Sequence, residues 1–484
     1  MVTYSVQRTA LHAATALLAH AGPRLARIRP LRRLAVSRVE AWLRSNPAQI
    51  SDGRLLPPGT VDDRVAMSLA VVSTIERALT ECNLASSALH GLIQVLLQSV
   101  LLERGDHTAV NRFHAQYGTN PPGFLLISPT KTCNLRCVGC YADSGATTEK
   151  LEWEVFDRII DEARTLWGAR FIVISGGEPL AYRSGGRDLL DMAMRHPDCY
   201  FMMYTNGTLI DNALAARLAR VGNLMPAISL EGWRERTDAR RGPGVFDRVL
   251  AAMAALRRAG VVFGVSLTAT RHNAEEILAD DLISFLFEKQ GALFGWIFHY
   301  MPIGRAFTLD LMPTPEQRAW MWRRSWEIVR QRRILLADFW NHGTVSDGCL
   351  SAGRYNGGGY MSIDWNGAVS PCVFLPYSPV NIKHVYEQGG TLNDIWADPF
   401  FAGIRQWQRD YAARDGNWLA PCPMRDHHAE LRRLLARHEP DPTDGNARAA
   451  LLDPEYARGL DRYDAAYEEL SSPLWRRYHD PSPR

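Results

Sequence analysis

Three cysteines fall within eight residues, at Cys133, Cys137 and Cys140, in the order Cys-x3-Cys-x2-Cys. Three thiolates on one short loop can hold three irons of a [4Fe–4S] cube and leave the fourth iron open to another ligand. The competing chemistry is a structural zinc site, which takes four ligands, usually as two separated Cys-x2-Cys pairs. A fourth ligand is missing nearby, because Tyr141, Asp143 and Ser144 are poor replacements. Thiols packed this closely do not suit disulfides.

A second group is Ser175-Gly176-Gly177-Glu178-Pro179. Its glycines let backbone approach a ligand closely, and exposed amides and carbonyls can bind a carboxylate or an ammonium. A third group is spread wider: Cys349, Cys372 and Cys422. Asp364-Trp-Asn-Gly367 forms a turn between short apolar runs, and the hairpin it predicts brings Cys349 towards Cys372. Cys82 and Cys199 lie beside a predicted helix and a predicted strand and read as core thiols.

These groups must be positioned by alternating elements. Strands are predicted at 124–128, 171–175, 200–205, 225–230, 261–268 and 293–301. Helices are predicted between them at 152–167, 187–196, 211–219, 244–259 and 273–290. Such alternation implies an α/β fold with a parallel sheet, and six strands suit an open, partial (β/α)6 barrel. Catalytic loops should follow the strand C-termini, as the cysteine loop does. Before the barrel, residues 1–118 read as a helical domain with apolar faces at 65–81 and 87–103, ending at the breaker Gly118–Gly123. After the core at 119–305, the expected parts are a helical connector at 306–345, a β-rich cysteine-bearing region at 346–430 and a polar helical tail at 431–484.

Composition narrows the function. The 484 residues are 46% hydrophobic and 22% charged, with a net charge of +3, so no bulk nucleic-acid signal exists. Eight cysteines without a secretory signal point to a reducing, cytoplasmic setting and to metal. No apolar run is long enough to span a membrane. Residues 1–44 hold eight arginines, no lysine and the single acid Glu40. That segment suits either peripheral contact with an anionic membrane or a solvated basic face, with a transit peptide as third choice. Pro30 is expected to break it as a single helix.

The triplet followed one β/α unit later by Gly-Gly-Glu-Pro resembles the radical S-adenosylmethionine (SAM) superfamily. The resemblance covers about residues 122–430. It implies that Cys133, Cys137 and Cys140 ligate a [4Fe–4S] cluster whose open iron chelates SAM. It further implies that Gly176, Gly177, Glu178 and Pro179 bind the methionine moiety. Asn206, in Thr205-Asn206-Gly207, and Ser229 and Glu231, in Ser229-Leu-Glu231-Gly232, match softer family positions around methionine and ribose. A carboxylate accepts two ribose hydroxyls, which suits Glu231. Turn formation alone is the competing explanation for each. The residue before the last cluster cysteine is aromatic in many relatives and lies near adenine; here it is Gly139, a departure that leaves that contact open.

Cys349, Cys372 and Cys422 resemble the SPASM/twitch extension, which implies a second, auxiliary [4Fe–4S] cluster. Its fourth iron would be open to substrate or take Asp426, His427 or His428, and zinc is the alternative for this trio. Asp338, His342, Asp347, Tyr300 and Arg305 lie close to these loops, and none is singled out as a hydrogen relay. The resemblance implies SAM and a reductant such as flavodoxin or ferredoxin as partners. It implies an oxidoreductase or transferase acting on a peptide or protein, whereas the all-helical, basic N-terminus suits a lipid-derived substrate; the two carry similar weight, beside a small metabolite. The non-enzyme alternative is an iron–sulfur or zinc scaffold that does not cleave SAM.

Overall fold

The computed structural model describes residues 29–46, 56–81, 84–85, 107–414 and 416–480. Seven strands run parallel in chain order: β1 (Phe124–Ile127), β2 (Phe171–Ile174), β3 (Tyr200–Thr205), β4 (Leu224–Leu230), β5 (Gly264–Ala269), β6 (Phe294–His299) and β7 (Leu335–Asp338). Five short strands follow: β8 (Ser362–Ile363), β9 (Ala368–Ser370), β10 (Tyr377–Ser378), β11 (Val380–Asn381) and β12 (Asp441–Pro442). The main sheet has the order β11-β9-β8-β1-β2-β3-β4-β5-β6-β7. β7 and β11 are its edges, so it curves without closing. β10 and β12 form a separate pair.

Local sequence explains the elements. β1 and β2 read Phe-Leu-Leu-Ile and Phe-Ile-Val-Ile, apolar on both faces because helices cover one side and the barrel interior the other. Helix Trp153–Trp167 buries Phe156, Ile159, Ile160 and Ala163, then stops at Gly168, whose φ is +70°. Helix Leu189–Arg195 starts from a reciprocal capping box between Asp188 and Asp191.

Two elements depart from the sequence prediction. The segment 306–345 is not wholly helical, since it contains β7. Four residues flanked by Arg330, Arg332 and Arg333 leave too short an apolar run to stand out. The helix expected at 273–290 is broken into a 3-10 turn Glu276–Leu278, helix Asp280–Ser284 and a π turn Phe285–Lys289. Its start is a loop because the Asn273 side-chain amide donates to the Glu231 and Thr268 carbonyls, at 2.8 and 2.9 Å. Pro30 sits in the first turn of the described helix Arg29–Ser45, and whether it interrupts a helix with the residues before it lies outside the described residues.

Residues 1–28, the helix expected at 87–103 and Cys82 lie outside the described residues. In helix Arg29–Ser45, Val36, Val39 and Leu43 pack with Val65, Leu69 and Val72 of helix Pro58–Glu81. Arg33, Arg38 and Arg44 face solvent. Among the described residues, no helix is long and apolar enough to cross a membrane.

Helix Pro58–Glu81 is bolted to the C-terminal half. Asp63 is fully buried and accepts from Thr344 Oγ1 at 2.6 Å and Tyr478 Oη at 2.7 Å, and it pairs with Arg330. Arg64 donates to the Thr344 carbonyl at 3.1 Å and pairs with Asp347, two residues before Cys349. Asp63→Ala strands these donors, and we expect a loss of about 3 kcal/mol in denaturant unfolding.

Candidate active site

The cysteine loop leaves the C-terminal end of β1 and is held by backbone. Cys133 N–H donates to Gly145 O at 2.8 Å and Lys131 N–H to Glu149 O at 3.0 Å. Arg305 straps it from the loop after β6. Its Nη1 donates to Cys137 O at 2.7 Å, its Nε to Asp143 Oδ1 at 3.0 Å, and its amide to Cys140 O at 3.0 Å. The glycine loop leaves β2 alongside. Gly177 N–H donates to Thr130 O and Glu178 N–H to Thr132 O, both at 2.8 Å. A Cβ on Gly177 would lie 2.3 Å from Thr132 O, so only glycine allows this approach.

Both loops line a cavity of about 300 Å³, as do Asn206 at the end of β3 and Ser229 on β4. Cys133, Cys137, Cys140, Gly176, Gly177 and Glu178 all face it. Pro179 is buried at the start of a 3-10 turn outside the lining. The Glu178 carboxylate is engaged internally. It accepts from Thr205 Oγ1 at 2.6 Å, Asn206 N–H at 2.8 Å and Leu180 N–H at 3.1 Å, while burial pushes its carboxyl above the ordinary range. Asn206 Nδ2 in turn donates to Asn134 Oδ1 at 2.8 Å, beside Cys133.

Glu231 does not match its expected placement. Its carboxylate is turned from the cavity and forked by Arg240 Nη1, at 2.5 Å, and Arg241 Nη2, at 2.7 Å. With its lone pairs committed to two guanidiniums, it offers nothing to ribose hydroxyls. Arg240 and Arg241, on helix Arg234–Arg241, line the cavity instead. Sequence reading missed them because that helix has a polar composition and no apolar stripe.

Gly139 has a structural explanation. Its φ is +62°, and a Cβ there would lie 2.5 Å from the Tyr300 ring. Tyr300, just past β6, fills the space and faces the cavity. Tyr141 is tied to the glycine loop, with its Oη 2.6 Å from Ser175 Oγ and 3.0 Å from the Gly176 N–H. Of the five residues near these loops, only Tyr300 lines the cavity. Asp338 accepts from His299 Nε2 at 3.0 Å and from Asn341 N–H at 2.9 Å. His342 Nε2 lies 2.9 Å from Ser325 Oγ, and burial pushes its imidazole down to about 4. Asp347 pairs with Arg64 and Arg354. His299 itself lines the cavity, with Arg425 Nη1 donating to its Nδ1 at 2.9 Å.

Cys349, Cys372 and Cys422 meet at a second, smaller cavity of about 30 Å³. The hairpin β8–β9 turns at Gly367, with φ +90°, and β8 also pairs in parallel with β1. Tyr360 Oη lies 2.9 Å from Cys372 Sγ, and Ser351 Oγ 3.0 Å from Cys349 Sγ. Phe339, Leu350, Tyr360 and Phe374 line both cavities. None of the three proposed fourth ligands lines this cavity, although Asp426 accepts from the Cys422 N–H at 3.1 Å. Asp426 is locked by Arg318 Nη2 and Arg425 Nε, each at 3.0 Å. His427 Nε2 donates to Ala420 O at 2.8 Å and His428 Nδ1 to Met424 O at 3.0 Å. Cys199 is buried in the main core, and burial pushes its thiol up to about 12.

The donor sets fit iron–sulfur groups. All six cysteines are free thiols, three to a cavity. Burial pushes the Cys133 thiol up to about 11 and the Cys422 thiol up to about 12. Among the described residues, no group of three His, Cys, Asp or Glu converges on a single ion.

The Glu231 fork gives a pH test. Burial pushes its carboxyl up, but Arg241 and Arg240 win and hold it below the ordinary range. The pairing therefore stabilises the fold above the unfolded pKa and is lost as pH falls through the lower folded value. We expect Glu231→Gln to cost about 3 kcal/mol at neutral pH. In urea unfolding, its gap from the parent should close as the pH falls below about 4.

Comparison with known proteins agrees with this geometry. The radical SAM superfamily profile matches residues 127–280, and SPASM, an iron–sulfur cluster-binding domain, matches residues 349–424. Mycofactocin maturase MftC of Mycolicibacterium smegmatis is 31% identical over 334 residues, covering 67% of this chain and 83% of that protein. An AdoMet-dependent heme synthase of Methanosarcina barkeri is 28% identical over 295 residues, covering 55% of this chain and 80% of the relative. The structure of native anSMEcpe with bound AdoMet aligns with a TM-score of 0.50 at 16% identity, over 74% of this chain and 99% of that one. Streptococcus suis SuiB bound to precursor peptide SuiA aligns with a TM-score of 0.50 at 18% identity, over 62% of this chain and 70% of that one. At those identities the two structures speak for the fold alone. The chain belongs to the radical SAM superfamily and carries a C-terminal SPASM domain.

Proposed function

We propose that the protein is an enzyme that cleaves SAM reductively and uses the product to take hydrogen from an organic substrate in the barrel cavity. The observation that carries this is the convergence of Cys133, Cys137 and Cys140 with the Gly176-Gly177 loop on one cavity. Cys133, Cys137 and Cys140 would hold a [4Fe–4S] cluster, and Cys349, Cys372 and Cys422 an auxiliary one. When bound, the first cluster supplies the electron that breaks the S–C5′ bond of SAM and yields a 5′-deoxyadenosyl radical.

The chain's own residues bind and orient. The backbone of Gly176, Gly177 and Glu178 approaches the methionine end, where no side chain intervenes. The Glu178 carboxylate acts one step back, fixing Thr205 and Asn206 in place. Arg240 and Arg241 present positive charge to the SAM carboxylate, and Glu231 sets their orientation. Tyr300 supplies the aromatic wall for adenine that Gly139 does not, and Ser229 offers a hydroxyl near the C-terminal end of β4. The electron comes from a small protein reductant such as flavodoxin or ferredoxin. The relatives are named for mycofactocin maturation and for heme synthesis, so kinship spans more than one substrate class.

The test uses anaerobically reconstituted protein with dithionite and SAM. We expect 5′-deoxyadenosine from the parent and none from Cys133→Ala/Cys137→Ala/Cys140→Ala. No cleavage by a fully loaded parent, with its substrate class supplied, would leave the scaffold alternative. For the adenine wall, Tyr300→Ala should weaken SAM binding by about tenfold in calorimetric titration. An unchanged affinity would remove Tyr300 from the site.

A further inference from the structure

The cysteine loop has an outer face as well as an inner one. Its residues alternate: Cys133, Leu135 and Cys137 line the barrel cavity, whereas Asn134, Arg136 and Val138 do not line it and are exposed. A molecule seated on the outer face is therefore separated from the thiols by little more than the loop itself. That face has an apolar centre. Val138 is 51% exposed, although it stands between Cys137 and Cys140. Leu209 is 39% exposed, next to Thr208, whose hydroxyl accepts from Asn134 Nδ2 at 2.8 Å. Apolar side chains exposed singly need no explanation, but these two border one loop together with an unpaired cation.

That cation is Arg136, which is exposed and makes no ion pair among the described residues. Helix Arg234–Arg241 extends the basic rim, because it is joined to the loop at Val138. The Val138 N–H donates to Arg240 O at 2.9 Å, and Arg240 Nε donates to Val138 O at 3.1 Å. Arg236 lies one turn earlier on the same side of that helix and is exposed, with Glu276 3.5 Å away. Nearby acids are largely engaged. Asp143 pairs with Arg305, and Asp238 accepts from the Gly244 and Phe246 amides at 3.0 and 2.8 Å, which leaves Glu235 at the surface. Ala85 of the N-terminal region meets the barrel at its opposite end, where its N–H donates to Gly260 O at 3.0 Å, ahead of β5.

We propose that the outer face of the cysteine loop docks the electron donor, an acidic protein of the flavodoxin type. This deepens the function proposed above and rests on it, by naming the surface through which the electron arrives. The exposed edge of a flavin is apolar and suits Val138 and Leu209, while acidic side chains around it suit Arg136 and Arg236. A small patch with a charged rim matches the brief contacts that redox partners make. In the transfer the partner's reduced flavin is oxidised by one electron, and the cluster that Cys133, Cys137 and Cys140 would hold is reduced by it. No bond is made or broken.

The test is direct binding of reduced bacterial flavodoxin to the full-length, reconstituted protein, followed anaerobically by biolayer interferometry. We expect saturable binding that weakens as salt rises. Arg136→Glu and Val138→Glu change exposed side chains, so iron content and circular dichroism should stay like the parent's. Each should weaken binding by about tenfold or more, whereas Arg136→Lys should not. Arg112→Glu, on helix His107–Tyr117 ahead of β1, makes the same change in net charge and should bind like the parent. With dithionite as reductant, Arg136→Glu should cleave SAM as the parent does; with limiting flavodoxin it should fall behind by about tenfold. A parent that binds through Arg136 and Val138 yet never cleaves SAM would end the function proposed above and leave the docking surface standing. No saturable binding by the parent, undiminished binding by the iron-loaded Arg136→Glu and Val138→Glu variants, or an equal loss in Arg112→Glu would each overturn it.

Discussion

Everything at the site depends on two backbones touching. β1 and β2 are neighbours in register, with Ile127 opposite Ile174, so the loops that follow them leave the sheet at the same height. The Gly176-Gly177 loop then lies directly on Thr130–Thr132, joined by the Gly177 and Glu178 amides. Gly176 has a φ of +97°, and a Cβ there would lie 2.7 Å from Ser128 Cβ. No residue with a side chain permits this contact. It places three thiols beside exposed backbone, and the rest of the site extends it. Glu178 links the pair to β3, Arg305 closes it from β6, and Arg240 reaches the Val138 carbonyl from the helix after β4.

Much of this was legible in the sequence, and the parts that were not share a cause. The first cysteine trio and the glycine loop could be read because their chemistry depends on residue type and short spacing, and the second, spread trio through its resemblance to the SPASM/twitch extension. The first six strands could be read because buried parallel strands are continuous apolar runs. Most of what escaped depends on side-chain direction. Glu231 and its partners Arg240 and Arg241 are ten residues apart or less, yet nothing in their order says that the acid faces inward and the arginines face the cavity. Tyr300 filling the space beside Gly139 is a contact over more than 150 residues. Asp426, His427 and His428 have the chemistry of ligands but are claimed by Arg318 and by carbonyls. β7 was hidden by its length and by the arginines before it.

The SPASM region is continuous with the barrel rather than appended to it. β8 adds to β1 in parallel, which places Cys372, Cys349 and Cys422 behind the wall of the barrel cavity. That wall is largely aromatic: Phe374 stands 5.0 Å from Trp340 and 5.6 Å from Tyr141, ring to ring. Tyr360 belongs to both sides, stacking on Phe124 at 4.9 Å and meeting Cys372 through its hydroxyl. One layer of side chains therefore separates the two cysteine trios. It lines both cavities, so the two cysteine sites share a wall.

The most direct measurement is low-temperature electron paramagnetic resonance on a Cys349→Ala/Cys372→Ala/Cys422→Ala variant, reduced and compared with and without SAM. It isolates the N-terminal trio. The convergence of the cysteine and glycine loops predicts about four irons per chain and a reduced [4Fe–4S] signal that shifts when SAM is added. A signal that SAM leaves unchanged, or a variant that holds no cluster, would contradict the placement of SAM at Cys133, Cys137 and Cys140.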